Sequence, residues 1–228
     1  MLYENPVYRI MGDRSLLVEL GDEISLSVNQ RVGELFLTLE RHRIDGVVEA
    51  IPCYRSLLII YDPLKITLPT LQDRIKDLRG TMNGIQIPKP RTVKIPVLYG
   101  GEYGPDLVWV ARYHKISPEE VIRLHTGSAY HVYGIGFAAG YAYMGSLPEE
   151  LVTPRRETPR TIVPQGSVGI AQKQTGIYPV ESPGGWQIIG RTPLKLFDPT
   201  RLPPTPLEMG DLVRFFPIRE EEMAHWQP

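Results

Sequence analysis

The sequence is poor in the features that mark several large protein classes. Cys53 is the only cysteine among 228 residues, so no internal disulfide can form and a disulfide-rich secreted domain is excluded. The formal net charge is −1 and no long basic run is present, which argues against sequence-independent nucleic-acid binding. No stretch approaches the roughly 18 apolar residues of a membrane span, and the first residues lack the apolar core of a signal peptide. We therefore expect a cytoplasmic protein.

Motifs that mark a metal or nucleotide site are absent as well. The sequence contains no H-E-x-x-H or C-x-x-C motif, no acidic calcium loop and no G-x-x-x-x-G-K-[ST] phosphate loop. His125 and His131 lack the helical spacing of a metal-binding pair. We expect no metal site, and we expect His125, near the end of a predicted helix, to face a backbone carbonyl or the helix dipole.

Glycine and proline are abundant, with 21 and 22 residues, and they concentrate between residues 134 and 191. Because glycine costs about 1 kcal/mol and proline about 3 kcal/mol in a helix interior, this stretch does not form ordinary helices. The apolar runs between the breakers are short and rich in β-branched residues, at 161–163, 168–171 and 186–189. The stretch therefore predicts a sheet with tight turns.

The same stretch carries aromatic residues beside arginines, an amide and hydroxyls. Aromatic walls with a few polar groups are typical of a small-molecule pocket or a peptide groove, and arginine suits a carboxylate or phosphate. The alternative is a β domain whose aromatics fill its core and whose arginines are solvated. The candidate substrate- or partner-binding residues are Tyr133, Phe137, Tyr141, Arg155, Arg160, Gln174, Thr175, Tyr178, Ser182, Trp186 and Arg191.

Two domains are predicted, at 1–90 and 91–228, separated by the proline-containing linker 87–91. In the first domain we expect strands at 15–20, 46–51, 56–61 and 85–87, and helices from Ser25 or Ser27 to about 41 and at 68–79. The order β-α-β-β-α-β is that of the ferredoxin-like fold. The second domain is expected to begin with a strand at 93–99, a helix capped by Asp106 and a helix opened by Ser117 and Pro118.

Several motifs, taken together, resemble one bacterial family. They are MGDRSLLVELGDEIS and YRSLLIIYDP in the first domain, and GGEYGPDL, SPEEVIRLHTG, YHVYGIGFAAGYAYMG, PRRETPRTIVPQGSVGIAQKQTGIYPVESPGGWQIIGRTP and LFDP in the second. Because they follow in order over nearly the whole chain, the sequence is identified as a member of the family known as the 5-oxoprolinase B subunit, allophanate hydrolase subunit 1 or KipI.

The resemblance implies a fold, partners and a reaction. The implied fold is α+β, with a ferredoxin-like N-terminal domain followed by a cyclophilin-like β-barrel. Members work with a sister protein, the C subunit, which resembles a carboxyltransferase domain, and often with a third protein, the A subunit. Together they look like an ATP-dependent enzyme that opens 5-oxo-L-proline to L-glutamate, so ATP is the implied cofactor of the complex. Fused relatives form part of urea carboxylase, and one branch inhibits a sensor histidine kinase.

The sequence departs from the family pattern near the predicted pocket. The family loop usually reads G-F-x-P-G-F, whereas Ala139 and Tyr141 stand here in place of proline and phenylalanine. Losing the proline frees φ and returns an N–H, which predicts a looser or differently bonded loop. Gln165 and Gln172 also stand where small residues are usual. These departures bear on the substrate and leave the fold prediction unchanged.

Three functions are compatible with these observations. The first is an enzyme subunit, inactive alone, that hydrolyses a cyclic amide at a site shared with a partner chain. Opening a lactam needs carbonyl activation, by donors poised for an oxyanion or by phosphorylation from ATP. Arg160 and Arg191 are the expected carboxylate or phosphate clamps, and Glu102 and His125 are the candidate general bases. The second is a regulator that binds a kinase through the same groove, and the third, a prolyl isomerase, rests on fold analogy alone.

Overall fold

The computed structural model describes residues 1–80 and 87–226. The chain divides into two compact units, Met1–Lys89 and Pro90–Pro228. Both units mix helices and strands. Among the described residues, no helix is both long and apolar enough to cross a bilayer.

The first unit contains a four-stranded antiparallel sheet and two helices within residues 1–80. Its elements are β1 (Leu2–Ile10), β2 (Ser15–Gly21), α1 (Leu26–Arg41), β3 (Val47–Cys53), β4 (Ser56–Tyr61) and α2 (Leu68–Arg79). Across the sheet the strands follow the order β1-β2-β4-β3. Helix α1 packs against β2, β3 and β4, so the core of this unit lies between the helix and the sheet.

Helix α1 illustrates how local sequence dictates these elements. The Ser25 hydroxyl caps the helix by accepting the N–H of Val28, which satisfies one of the donors that a helix start leaves without a partner. Val28, Val32, Leu35 and Leu39 repeat at helical spacing and are all buried. They form the apolar stripe that the spacing predicts, and the predicted helix is confirmed.

The predicted order of the first unit is wrong at its start. Strand β1 precedes the first predicted strand, so the described elements run β-β-α-β-β-α instead of β-α-β-β-α-β. Most residues of β1 are exposed, the strand contains Pro6, and its pairing with β2 shifts register between Leu2 and Val7. The apolar and polar residues of an exposed edge strand with a proline do not alternate clearly, so the sequence pattern did not predict β1. The strand predicted at 85–87 lies outside the described residues except for Ile87, which belongs to no strand, and the ferredoxin-like order is not confirmed.

The second unit is built on a closed barrel. Its elements are β5 (Thr92–Tyr99), α3 (Leu107–His114), α4 (Pro118–Gly127), β6 (Tyr130–Ile135), β7 (Ala142–Gly145), β8 (Arg160–Val163), β9 (Ser167–Ala171), β10 (Gln174–Ile177), β11 (Ser182–Gly184), β12 (Gln187–Arg191), β13 (Leu212–Pro217) and α5 (Glu220–Ala224). Seven of the strands described between residues 90 and 226 close the barrel in the order β10-β7-β6-β13-β5-β12-β9. Strands β8 and β11 pair separately as a two-stranded sheet. The barrel confirms the sheet predicted from the glycine- and proline-rich stretch.

The barrel interior is filled by apolar side chains. The largest fully buried ones include Tyr130, Ile95, Met144, Ile170 and Ile177, contributed by five different strands. Helix α4 packs against β13, and α3 packs against α4 and β12. Each side chain of this size contributes about 1.5–3 kcal/mol when it is fully buried, so the barrel has a large core of its own.

Limited proteolysis is expected to separate the two units. Residues 87–91 belong to no helix or strand and are exposed, whereas the backbone of α1 is held by helical hydrogen bonds and buried side chains. Early cleavage by a non-specific protease should therefore yield fragments close to Met1–Lys89 and Pro90–Pro228, identified by mass spectrometry. First cuts inside α1 would contradict the division into two independently stable domains.

Candidate functional site

A cavity of about 150 Å³ lies on the barrel unit, and five of its ten lining residues are aromatic. We call it the aromatic pocket. Its lining residues are Phe137, Tyr141, Tyr143, Arg155, Gln174, Tyr178, Pro183, Gly184, Gly185 and Trp186. The lining therefore combines aromatic rings, three of which carry a phenol hydroxyl, with one guanidinium and one amide among the described residues.

Tyr141 is the centre of the aromatic wall. Its ring makes edge-to-face contacts with Phe137, Tyr143, Tyr178 and Trp186, at centroid distances of 5.7, 5.1, 5.7 and 6.1 Å. Such pairs contribute about 0.5–1.5 kcal/mol each beyond the area that they bury. The wall is therefore a packed cluster whose shape exists before a ligand arrives.

Glycines make room for these rings. A Cβ at Gly176, on β10, would lie 2.6 Å from the Tyr141 hydroxyl oxygen and 3.1 Å from Cζ3 of Trp186. A Cβ at Gly184 would overlap the hydroxyl of Tyr178. Only glycine allows the strands to approach the rings this closely, so the glycine density of this stretch follows in part from the packing of the pocket.

The loop between β6 and β7 presents Phe137 at the pocket. The backbone folds back through hydrogen bonds from the Gly136 N–H to the Tyr141 carbonyl and from the Tyr141 N–H to the Ala138 carbonyl. Phe137 has φ 64° and is 73% exposed. A bulky residue in the left-handed region costs of order 1–3 kcal/mol. The loop therefore holds the solvent-exposed ring of Phe137 at the pocket by means of a strained backbone conformation.

Of the four departures from the family pattern, only Tyr141 is among the described residues that line the pocket. The N–H of Ala139 makes no hydrogen bond to a described residue, so the missing proline changes the freedom of φ and not the bonding of the loop. Gln165, in a turn, and Gln172, in an isolated β-bridge with Thr153, lie outside the lining of the pocket. Tyr141 is the one departure that lies within it.

Asp106 anchors the loop that leads into β8. The residue is only 5% exposed. Its carboxylate accepts hydrogen bonds from both terminal nitrogens of Arg160, at 2.9 and 2.8 Å, and from Nη1 of Arg156 at 3.0 Å. It also accepts the backbone N–H of Ile188 at 2.7 Å. Asp106 is the N-cap residue of α3, as predicted, but its carboxylate binds these groups and makes no cap hydrogen bond.

This anchor changes the expected role of the arginines. Arg160, expected to clamp a ligand carboxylate, has its guanidinium bound to Asp106 and does not line the pocket. Arg191, the second expected clamp, lies with its guanidinium carbon 5.3 Å from the ring centre of Tyr103, and its buried Nε has no hydrogen-bond partner among the described residues. Arg155 is the arginine that lines the pocket.

His125 is part of the barrel core. The residue is fully buried, with its Nδ1 2.8 Å from the Tyr99 hydroxyl and its Nε2 2.9 Å from the Thr175 hydroxyl. Its ring stacks on Phe215. Burial lowers the pKa of His125 from 6.5 to about 3, so the ring is neutral at pH 7. The predicted position facing a carbonyl or the helix dipole is wrong, and as a candidate base His125 has no access to the pocket.

The remaining candidates lie outside the pocket lining. Tyr133 is buried on β6 against His131, and its hydroxyl bonds to Ser146. Thr175 is buried and donates to the Gly169 carbonyl. Ser182 is half-buried in the pairing of β11 with β8. Glu102 is exposed in the loop between β5 and α3. The structure thus brings together Phe137, Tyr141, Arg155, Gln174, Tyr178 and Trp186.

The pocket does not fit a nucleoside triphosphate. Its volume of about 150 Å³ is well below the roughly 300–1,000 Å³ of pockets for larger ligands, and a single arginine faces it. Among the described residues no group of three or more His, Cys, Asp or Glu is arranged to hold a metal ion. The dimensions suit one small ring with a polar substituent.

The chain matches one protein-family model and is similar in sequence to known proteins over most of its length. It matches the family model described as "Carboxyltransferase domain, subdomain C and D" over residues 6–207. It is 41% identical to the 5-oxoprolinase B subunit of Bacillus subtilis (strain 168) over 223 residues, 93% of this chain and 92% of that protein. It is 42% identical to the protein of the same name from Escherichia coli O157:H7 over 212 residues, 92% of this chain and 95% of that protein.

Two solved structures are similar over most of this chain and extend beyond it. The crystal structure of TTHA0988 matches with a TM-score of 0.79 and 35% identity, covering 90% of this chain and 40% of that one. The K. lactis urea amidolyase matches with a TM-score of 0.78 and 27% identity, covering 96% of this chain and 15% of that one. This chain therefore spans less than half the length of these two solved relatives.

Proposed function

The chain belongs to the carboxyltransferase domain family, subdomain C and D, and from this we propose that it is the B subunit of an ATP-dependent 5-oxoprolinase. The observation that carries the proposal is the match to two proteins of that name over at least nine-tenths of this chain. In this proposal the chain works with the carboxyltransferase-like C subunit and with a third protein, the A subunit, to open 5-oxo-L-proline to L-glutamate. The closed barrel with α3 and α4 packed on it supports the further proposal that the second unit is cyclophilin-like.

The geometry of the pocket supports a role that is incomplete without a partner. Opening a lactam requires an activated carbonyl and a group that moves protons. Among residues 1–80 and 87–226, no Asp, Glu, His or Cys lines the pocket. Both candidate bases lie outside it, His125 in the core and Glu102 in an exposed loop. A shared site can take its binding surface from one chain and its reacting groups from another. We therefore place substrate binding in this chain and the reacting groups in a partner protein.

ATP is proposed to bind elsewhere in the complex. The aromatic pocket is too small for a nucleoside triphosphate, and the arginines that follow Arg155 in its loop, Arg156 and Arg160, are bound to Asp106. When bound, ATP would activate the lactam carbonyl by phosphorylation. The residues of this chain would contribute binding, orientation and exclusion of water from the substrate.

A urea carboxylase-type subunit is the second candidate function. It is favoured by the structural match to K. lactis urea amidolyase and by 28% identity to the Lachancea kluyveri urea amidolyase. The identity to the two 5-oxoprolinase proteins is higher, at 41% and 42%, and those proteins have nearly the same length as this chain. The 5-oxoprolinase proposal therefore ranks first.

Reconstitution tests the proposal. The purified chain alone is expected to form no glutamate from 5-oxo-L-proline and ATP, whereas a mixture with its two partner proteins should form glutamate only when ATP is present. Glutamate is measured by a coupled assay, and the mixture without this chain is the control. Turnover by the lone chain would contradict the shared site. A mixture that is inert with 5-oxo-L-proline but consumes ATP with urea and bicarbonate would favour the second candidate. Suppression of kinase autophosphorylation by an otherwise inactive chain would favour a regulator.

A further inference from the structure

We propose that Arg155 recognises the carboxylate of a small cyclic acid bound in the aromatic pocket, and that Asp106 positions Arg155 by holding the two arginines that follow it, Arg156 in the loop and Arg160 at the start of β8. The identification of the acid as 5-oxo-L-proline rests on the proposed function. The recognition of a small carboxylate rests on the geometry alone.

The first observation is the state of the arginines in this loop. Arg156 and Arg160 are bound to Asp106, with partly buried side chains. Arg155 lines the pocket and is exposed. Among the described residues no hydrogen bond or ion pair joins it to a carboxylate. A guanidinium presents a planar fork of donors that matches a carboxylate in two parallel hydrogen bonds, so Arg155 is the cation available to a ligand.

The second observation is that the backbone on both sides of Arg155 is held in place. On one side, Thr153 and Gln172 exchange two backbone hydrogen bonds, and the Gln187 side-chain amide donates to the Pro154 carbonyl at 3.2 Å. On the other side, the Arg156 N–H donates to the Gly185 carbonyl at 2.8 Å. The base of the Arg155 side chain is therefore fixed next to the pocket, and a ligand orders only the side chain itself. Such pre-organisation lowers the entropic cost of binding.

The third observation is electrostatic. Burial raises the pKa of Tyr178, and the positive charges of Arg155 and Arg160 act in the opposite direction. Since Tyr178 is part of the pocket wall, the field of the Arg155 guanidinium reaches the cavity. A carboxylate at the mouth would meet this charge, while the ring of the same ligand would face the rings of Tyr141 and Trp186. The volume of about 150 Å³ restricts the ligand to roughly one small ring.

Direct binding to the purified chain tests the inference. Isothermal titration with 5-oxo-L-proline and with pyrrolidin-2-one, the same lactam without the carboxylate, separates the two parts of the ligand. We expect pyrrolidin-2-one to bind roughly ten- to a hundredfold more weakly, which corresponds to the loss of one charge-assisted contact. Arg155→Gln should weaken binding of the acid by the same factor and leave the binding of pyrrolidin-2-one unchanged. Arg155→Lys, which keeps the charge and loses the fork, should lie between.

The control is Arg112→Gln, which removes an exposed arginine of α3 outside the pocket and should bind the acid like the wild type. The same variants are measured in the reconstituted complex, where Arg155→Gln should raise KM for 5-oxo-L-proline more than it lowers kcat. Equal binding of acid and lactam, or wild-type binding and KM in a folded Arg155→Gln variant, overturns the inference.

The two measurements separate this inference from the proposed function. If the complex turns over 5-oxo-L-proline and Arg155→Gln has the same KM as the wild type, the proposed function is retained. The role of Arg155 is then overturned. If the chain binds the acid in an Arg155-dependent way but the reconstituted complex forms no glutamate, carboxylate recognition is retained. The proposed 5-oxoprolinase activity is then overturned. An absence of acid binding to the chain together with an unchanged KM in the complex counts against the inference.

Discussion

Replacing Asp106 with alanine is expected to lower the free energy of unfolding by about 3 kcal/mol and to weaken ligand binding in the aromatic pocket. The change leaves the Ile188 N–H without its acceptor and Arg156 and Arg160 without their counter-charge. Removing one partner of a buried ion pair costs about 3–5 kcal/mol, and the lower value applies because both arginines keep some contact with water. The same loss releases the loop that carries Arg155.

A matched variant separates stability from binding. Asp211 is equally buried and accepts two hydrogen bonds from Arg91, but it holds neither Arg156 nor Arg160, which are bound by Asp106. Urea denaturation should show destabilisation of both Asp106→Ala and Asp211→Ala. Titration with 5-oxo-L-proline, below the onset of unfolding, should show weaker binding for Asp106→Ala only. Wild-type stability of Asp106→Ala, or equal binding by both variants, would count against the anchoring role of Asp106.

Acidification is expected to destabilise the protein through His125. The pKa of this ring is about 3 in the folded chain, against 6.5 for an ordinary histidine, because burial disfavours the charged form. The unfolded chain therefore takes up a proton near pH 6.5 and the folded one does not. The stabilisation is fully present above pH 6.5 and declines as the pH falls toward 3. Between pH 6.5 and pH 4 the loss is roughly 3 kcal/mol.

Denaturation by urea at pH 7, 5.5 and 4 measures this dependence. His125→Gln should be less stable than the wild type at pH 7, because it loses the contacts of the ring with Tyr99 and Thr175, but its stability should fall less steeply with acid. Some dependence will remain, since burial also lowers the pKa of His114 and His131. His42→Gln, which changes an exposed histidine, should keep the wild-type slope. Parallel curves for the wild type and His125→Gln would show that this ring does not control acid stability.

The helices were predictable because their determinants are close in sequence. Ser25, Thr67 and Ser117 each accept an N–H from the first turn of the helix that follows, and a cap needs only residues within one turn. Strand β1 was not predictable by the same means. Its apolar and polar residues do not alternate, and the strand is defined by backbone pairing with β2 at the edge of the sheet.

The candidate site was predictable in its chemistry and only in part in its geometry. The glycine- and aromatic-rich stretch indicates a β-rich pocket, and Phe137, Tyr141, Tyr178 and Trp186 do line one. Thr175, from the same stretch, turns into the barrel core to meet His125 instead. Whether a strand residue faces a pocket or the core depends on barrel closure, which local spacing does not encode.

The sequence by itself determined that this chain is an α+β member of its family, with capped helices and a glycine-rich sheet that carries an aromatic cluster, because these properties follow from local patterns and ordered motifs. Only the tertiary structure decided which arginine is available to a ligand. Arg155, Arg156 and Arg160 are chemically alike and lie within six residues of one another, but Asp106, distant in sequence, binds two of them. Arg155, the third of these arginines, lines the pocket. Closure of the barrel brings the Asp106 carboxylate beside Arg156 and Arg160 and not beside Arg155.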